Sequence, residues 1–226
     1  MPLLLFPAFI PAALAIVLIP AVSESLARRN SESVKQRILM AVRLSSLIGC
    51  FASTIFYLYG DQLAIRLFHI SSDFGYMKIL APIFYFYYIQ SPLHSVLQAI
   101  GEAKTAMFNS IYGGIGKLFV LFILASQPYL QEKGAIIAIG FGVLITSFLH
   151  IASIRQHDKI KMGFQFFLLP YLLFIVTCFI QPLLTQNMPL LPSSIITICI
   201  VLSLLLITKQ IRSSDWQYIR SIFSRT

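Results

Sequence analysis

The fold the sequence predicts is an all-α integral membrane protein of about seven transmembrane helices, amino terminus outside and carboxyl terminus in the cytoplasm. Three observations carry that expectation. Hydrophobic residues make up 58% of the 226-residue chain and charged residues only 11%, against about 25% charged in soluble domains. Apolar runs recur at about the 20-residue length that a bilayer crossing needs. Basic residues fall on alternate connections, as the excess of lysine and arginine on cytoplasmic loops requires.

The predicted spans are Leu3–Val22, Ile38–Tyr59, Tyr76–Ile100, Thr105–Gln127, Gly134–Ile154, Phe164–Leu184 and Leu191–Thr208, followed by a cytoplasmic interfacial tail, Lys209–Thr226. With the amino terminus outside, thirteen of the 17 lysines and arginines collect on the inner side. They are Arg28, Arg29, Lys35, Arg37, Arg43, Lys104, Arg155, Lys159, Lys161, Lys209, Arg212, Arg220 and Arg225. The outer side has Arg66, Lys78 and Lys133, and Lys117 falls inside a span. The net charge of +9 is thereby explained by topology, and nucleic acid is not an expected partner. Membrane lipids are.

The first span begins at once, carries Pro7, Pro11 and Pro20, and has no basic residues before it. That pattern argues against a secretory signal, and the abrupt start is expected of the later part of a longer protein. Ser23–Arg37 reads as a charged inner connection extending into the next helix, with Asn30 or Ser31 as its cap. Gly60–Gly75 is apolar at Leu63, Ile65, Leu67, Phe68 and Ile70 and predicts a short helix lying in the interface.

The third span holds most of the polar groups. At 3.6 residues per turn, Gln90, His94 and Gln98 share one arc with Ser91, Ser95 and Glu102. Phe84, Tyr85, Phe86, Tyr88, Leu93 and Leu97 take the other side, and Pro82 and Pro92 favour kinks. Two readings are open: the arc lines a pathway for a polar substrate, or it makes interhelical hydrogen bonds. The short Gly101–Lys104 turn predicts that the third and fourth spans are antiparallel neighbours. In the fourth, Ala106, Ser110, Gly113 and Lys117 follow one face, with Asn109 beside them. An ammonium there costs roughly 2.5–3.5 kcal/mol on insertion scales, so Lys117 is expected to face the bundle interior, level with Gln90 and Ser91. Gly113-Gly-Ile-Gly-Lys117 is not a phosphate loop, because its spacing differs and Leu118 replaces the magnesium-binding hydroxyl.

The last two spans carry few polar groups beyond Thr177, Gln181, Ser194, Thr197 and Ser203, and read as lipid-facing or tail-contacting helices. Cys50, Cys178 and Cys199 lie in spans with no metal-ligand spacing. No metal, cofactor or catalytic set is expected, and the chain does not read as an enzyme. The substrate-pathway candidates are Lys117, Gln90, His94, Gln98, Asn109 and Ser110.

Several stretches resemble one family. Leu3-Leu-Leu-Phe-Pro-Ala-Phe-Ile10, Ile19-Pro-Ala-Val-Ser-Glu24, Ala81–Gln98, Asn109–Lys117 and Leu124-Ala-Ser-Gln-Pro128 are similar, in order and spacing, to the stage V sporulation protein B family. That family belongs to the multidrug/oligosaccharidyl-lipid/polysaccharide exporters. The resemblance implies fourteen helices in two lobes around a central cavity, of which this chain is the C-terminal lobe, in the inner membrane of a bacterium. It further implies transport of a lipid-linked polysaccharide or peptidoglycan precursor, in spore cortex formation, with a missing N-terminal lobe as partner. In related flippases basic side chains of the first lobe and the lobe boundary meet the pyrophosphate; here the first span has none, which leaves Lys117 and the Gln90–Glu102 arc. Two other readings stand beside it, a lobe of a multidrug-type cation exporter and a nonfunctional or structural remnant of a truncated gene.

Overall fold

The computed structural model describes residues 2–69, 75–156, 165–185 and 189–208. The described residues form helices with short connections: α1 (Pro2–Ala27, with a 3-10 turn at Phe6–Ala8), α2 (Ser31–Phe68), α3 (Tyr76–Ala99), α4 (Ala103–Ala125), α5 (Gln131–Arg155), α6 (Gln165–Thr185) and α7 (Leu190–Ile207). Five of them (α1, α2, α4, α5 and α6) are long and apolar enough to cross a bilayer. Helix α3 has the length, 24 residues, but its tyrosines, amides and histidine lower its hydropathy, and the apolar part of α7 is the shorter Pro192–Leu206. The protein is an all-α, multi-pass membrane protein. The predicted tail Lys209–Thr226 and most of the connection after Arg155 lie outside the described residues.

Local chemistry sets the helix ends. Asn30 caps α2, its Oδ1 accepting from the Ser33 N–H at 3.0 Å, which satisfies one of the orphan donors of a first turn. Helix α3 stops at Gly101, whose φ of 92° suits a residue without Cβ. There the Glu102 N–H bonds the Leu97 carbonyl at 2.8 Å and the Gly101 N–H bonds that of Gln98 at 3.1 Å, the paired bonds of a Schellman end. The same pairing closes α1, with Arg29 in the left-handed position.

Helix α2 differs from expectation. Among the described residues no separate interfacial helix follows Tyr59. The helix continues unbroken for 38 residues to Phe68, about 57 Å at 1.5 Å per residue, nearly twice the hydrocarbon thickness. Gly60 is no breaker because it is a packing residue: a Cβ there would stand 2.6 Å from that of Met77. Arg43, counted above with the inner connections, is only 5% exposed and sits within the bundle.

Helix α3 is the centre of the fold. It packs against α1, α2 and α5, and its aromatic side is fully buried at Tyr85 and Tyr88. Each phenol donates to a backbone carbonyl at 2.7 Å, Tyr85 to Phe167 of α6 and Tyr88 to Leu4 of α1. In an apolar interior an unmade hydrogen bond is expensive, so these contacts orient the neighbouring helices. Leu18, Val22, Ile38 and Val42 join α1 to α2 in the main core, while Leu4, Phe56, Leu80 and Ile136 form a smaller one.

Helices α6 and α7 are more than lipid-facing. Gln181 donates to Tyr59 of α2 at 2.8 Å and to Thr185 at 2.6 Å. The Thr197 hydroxyl lies 2.7 Å from that of Tyr59 and gives its own proton to the Ser193 carbonyl, so Tyr59 is the donor in that pair. This buried network ties three helices together where the sequence suggested only isolated polar letters. Interhelical hydrogen bonds of this kind average about 0.6 kcal/mol.

The expected pairing of α3 with α4 is also corrected. They meet chiefly near the Gly101 turn, while α4 packs along α5, and α5 in turn packs on α3. Small residues decide this arrangement. A Cβ at Gly113 of α4 would run into the Thr146 hydroxyl of α5, and one at Gly142 of α5 would lie 2.8 Å from the Lys117 Cβ. Two backbones approach closely at such positions.

Candidate functional site: a polar groove on α5

Because α5 separates α3 from α4, a groove opens above it. Helices α3 and α1 form one wall, α4 the other and α5 the floor. Two cavities of about 340 and 400 Å³ occupy it and share Tyr87, Gln90, Ser110 and Thr146. The first extends to Ser91, His94, Ser95 and His150. The second extends to Lys117, Gly113 and Gly114. Among the described residues, neither cavity has an aspartate or glutamate in its lining. The groove's polar groups are an amide, hydroxyls, imidazoles and phenols with one ammonium, set among apolar residues such as Leu5, Pro11, Phe84 and Ile139.

The predicted arc of α3 divides as its spacing demands. Gln90, Ser91 and His94 are half-buried and face the groove, while Tyr85, Tyr88, Leu93 and Leu97 behind them are buried. Gln90 supports both readings of the arc. Its amide nitrogen donates to the Val143 carbonyl at 2.7 Å and reaches the Ser147 hydroxyl at 3.0 Å, an interhelical bond to α5, and the residue also lines both cavities.

Lys117 is exposed on the lobe and lines the second cavity together with Gln90. Its aliphatic stem lies on Gly142 of α5 and not on α3. Ser91, expected at the same level, belongs to the other cavity. Ser110 lines both, with its hydroxyl turned back to the Ala106 carbonyl at 3.1 Å. Back-bonding of that kind satisfies the hydroxyl proton within the helix.

Two of the predicted residues lie away from the lining. Gln98 is exposed near the turn and contacts His94, Nε2 to Nε2, at 3.0 Å. Asn109 is buried against α5, its Nδ2 2.9 Å from the Ser153 hydroxyl and 3.3 Å from His150 Nδ1. Both touch a histidine that reaches the groove without lining it themselves.

The α5 contribution was missed. Gly142, Thr146, His150 and Ser153 follow one another at three- and four-residue steps, so they share a helix face. That periodicity is legible in the sequence, but which helix it faces is not. His150 is 1% exposed, and its ring centroid lies 5.5 Å from that of His94.

No family model matches the sequence, and no solved structure matches the chain. Among curated proteins, Stage V sporulation protein B of Bacillus subtilis (strain 168) is 33% identical over 186 residues, covering 82% of this chain and 36% of the relative. Sporulation protein YkvU of the same organism is 28% identical over 157 residues, covering 70% of this chain and 35% of that protein. The matched part thus spans about a third of either relative's length. A moderate identity sustained over most of a chain of apolar helices and short turns is what common descent leaves behind, and the chain belongs to the Stage V sporulation protein B family.

Proposed function

We propose that the chain is one lobe of a membrane flippase that moves a lipid-linked polysaccharide or peptidoglycan precursor across the bacterial inner membrane during spore cortex formation. The observation that carries this reading is the groove itself: a cation, an amide, imidazoles and hydroxyls between membrane helices, with no carboxylate among the described residues of its lining. Such a precursor offers a phosphate and sugar hydroxyls. Lys117 suits the phosphate as a point charge. Gln90, Ser91 and His94 suit hydroxyl groups. The lipid chain has the apolar face of α4 beside it, exposed at Phe119 (66%) and Phe122 (79%). A cation exporter is the poorer fit, since a cation in this groove finds Lys117 and no acid.

In this reading the groove is one half of a pathway. A charged headgroup needs polar surface on all sides in a low-dielectric core, and the opposite wall comes from a second lobe. The experiment is complementation in Bacillus subtilis lacking Stage V sporulation protein B. The chain alone is expected to leave spore formation unrestored, and the chain produced together with the remaining N-terminal part of that relative is expected to restore it. Restoration by the chain alone would contradict the need for a second lobe, and failure of the pair would contradict the flippase reading.

The orientation is amino terminus outside and carboxyl terminus inside, from the distribution of lysine and arginine. In a variant whose native cysteines are replaced, a cysteine at Ser33 is expected to resist a membrane-impermeant thiol reagent in intact cells, and one at Glu132 to react. The reverse pattern would invert the topology.

A further inference from the structure

His94, which suits a sugar hydroxyl, also has a second imidazole beside it. His94 of α3 and His150 of α5 meet in the groove wall with ring centroids 5.5 Å apart and planes at 68°. Both line the first cavity. Each ring has a carboxamide within hydrogen-bond reach: Gln98 Nε2 lies 3.0 Å from His94 Nε2, and Asn109 Nδ2 lies 3.3 Å from His150 Nδ1. A carboxamide is an adaptable partner for an imidazole. It presents its NH2 to a bare ring nitrogen, and after a half-turn it presents its oxygen to a ring N–H. Each histidine can therefore gain a proton and keep a hydrogen bond without help from a fixed carboxylate. A proton on one ring opposes a proton on the other, because like charges this close disfavour the doubly charged state.

The surroundings sharpen the point. Helix α1 brings only Ala8, Pro11 and Ala12 to this cavity. From α3 itself come the phenols Tyr87 and Tyr88, and from α4 the hydroxyl of Ser110, with the Lys117 ammonium in the adjoining cavity. Helix α5 adds Thr146, and its one charge near this end, Arg155, is in the last turn. Glu102, beyond Gln98 at the turn, engages the Thr105 hydroxyl at 2.6 Å. Among the described residues no third His, Cys, Asp or Glu joins the pair to make a metal site. The ion this pair is suited to take is the proton.

We propose that His94 and His150 form a proton-binding site in the groove wall, whose occupancy adds positive charge beside the Lys117 subsite and strengthens binding of an anionic headgroup. The proton site stands on geometry alone; its effect on substrate rests on the flippase reading. A proton bound with the headgroup and released after it would link transport to the proton gradient by thermodynamic reciprocity.

The test follows ring protonation directly. The full chain, with 15N-labelled histidine and with His69 and His157 replaced by asparagine, is reconstituted in lipid nanodiscs. Its ring nitrogens are followed by NMR from about pH 4 to 8, the range in which histidine ordinarily titrates. Both rings are expected to shift together in two linked steps, and His150→Gln is expected to reduce the His94 curve to a single step. Should His150→Gln fail to fold, His94→Gln makes the same comparison from the other ring. Rings that hold one protonation state throughout, or a His94 curve unchanged by His150→Gln, would overturn the proposal. Because this readout is protonation and not transport, its outcome is distinguishable from that of the complementation experiment.

Discussion

Lys117→Met is expected to fold and insert as the native chain does and to lose transport by about 10- to 100-fold, the range set by the 1.5–3 kcal/mol of a hydrogen bond to a charged group. Methionine retains an unbranched stem of similar length, so the packing on Gly142 survives while the charge disappears. The lysine is exposed on the lobe, and no described hydrogen bond of the helix framework depends on its ammonium. A loss of transport would thus be a loss of substrate contact and not of structure. Lys117→Arg is expected to recover part of the activity, since the guanidinium keeps the charge but its planar fork approaches a phosphate differently. The measurement is precursor transport in the complemented strain, with membrane insertion checked in parallel. Native transport by Lys117→Met would reduce this residue to a tolerated structural charge.

Gly113→Leu is expected to destabilise the packing of α4 on α5 strongly. Its Cβ would collide with the Thr146 hydroxyl and approach the Thr146 Cβ to 3.0 Å and the Gly142 carbonyl oxygen to 3.4 Å. The Thr146 hydroxyl is itself held by a 2.9 Å bond to that carbonyl, so it cannot simply swing away. Overpacking of such a contact costs on the order of 1–3 kcal/mol, and the helices would splay, widening the groove floor. Gly114→Leu is the control, because a Cβ at Gly114 meets nothing within 4 Å. Thermal unfolding in detergent should separate the two variants. Equal stability would mean that α4 and α5 do not meet through this glycine.

What was legible in the sequence and what was not follow from the range of the interactions. The polar arc of α3 could be read because 3.6-residue periodicity is local, and Gln90 and His94 do face one cavity. The Asn30 cap could be read for the same reason. The continuation of α2 to Phe68 could not, since Gly60 resembles a breaker until Met77 is seen against it. Length arguments built on a 20-residue span also stop a helix too early. The choice of α5 over α3 as the partner of α4 depends on matching small residues across two helices. The turn at Gly101 says only that α3 and α4 start close together. The Tyr59–Gln181–Thr197 network joins positions up to 138 residues apart, and nothing in one sequence shows that they converge. His150 shows a different limit: its helix face was readable, but its importance comes from the ring of His94 beside it.

The most direct test of the groove as the path of a lipid-linked precursor is photo-cross-linking in sporulating cells. Benzoylphenylalanine placed in turn at Ser91, Ser110 and Phe122 samples the two shared cavities and the lipid-facing side of α4. Mass spectrometry of the adducts is expected to find a sugar-bearing polyprenyl phosphate at Ser91 and Ser110, and its polyprenyl chain alongside ordinary phospholipid at Phe122. Phospholipid alone at all three positions would contradict the assignment of this groove to the precursor.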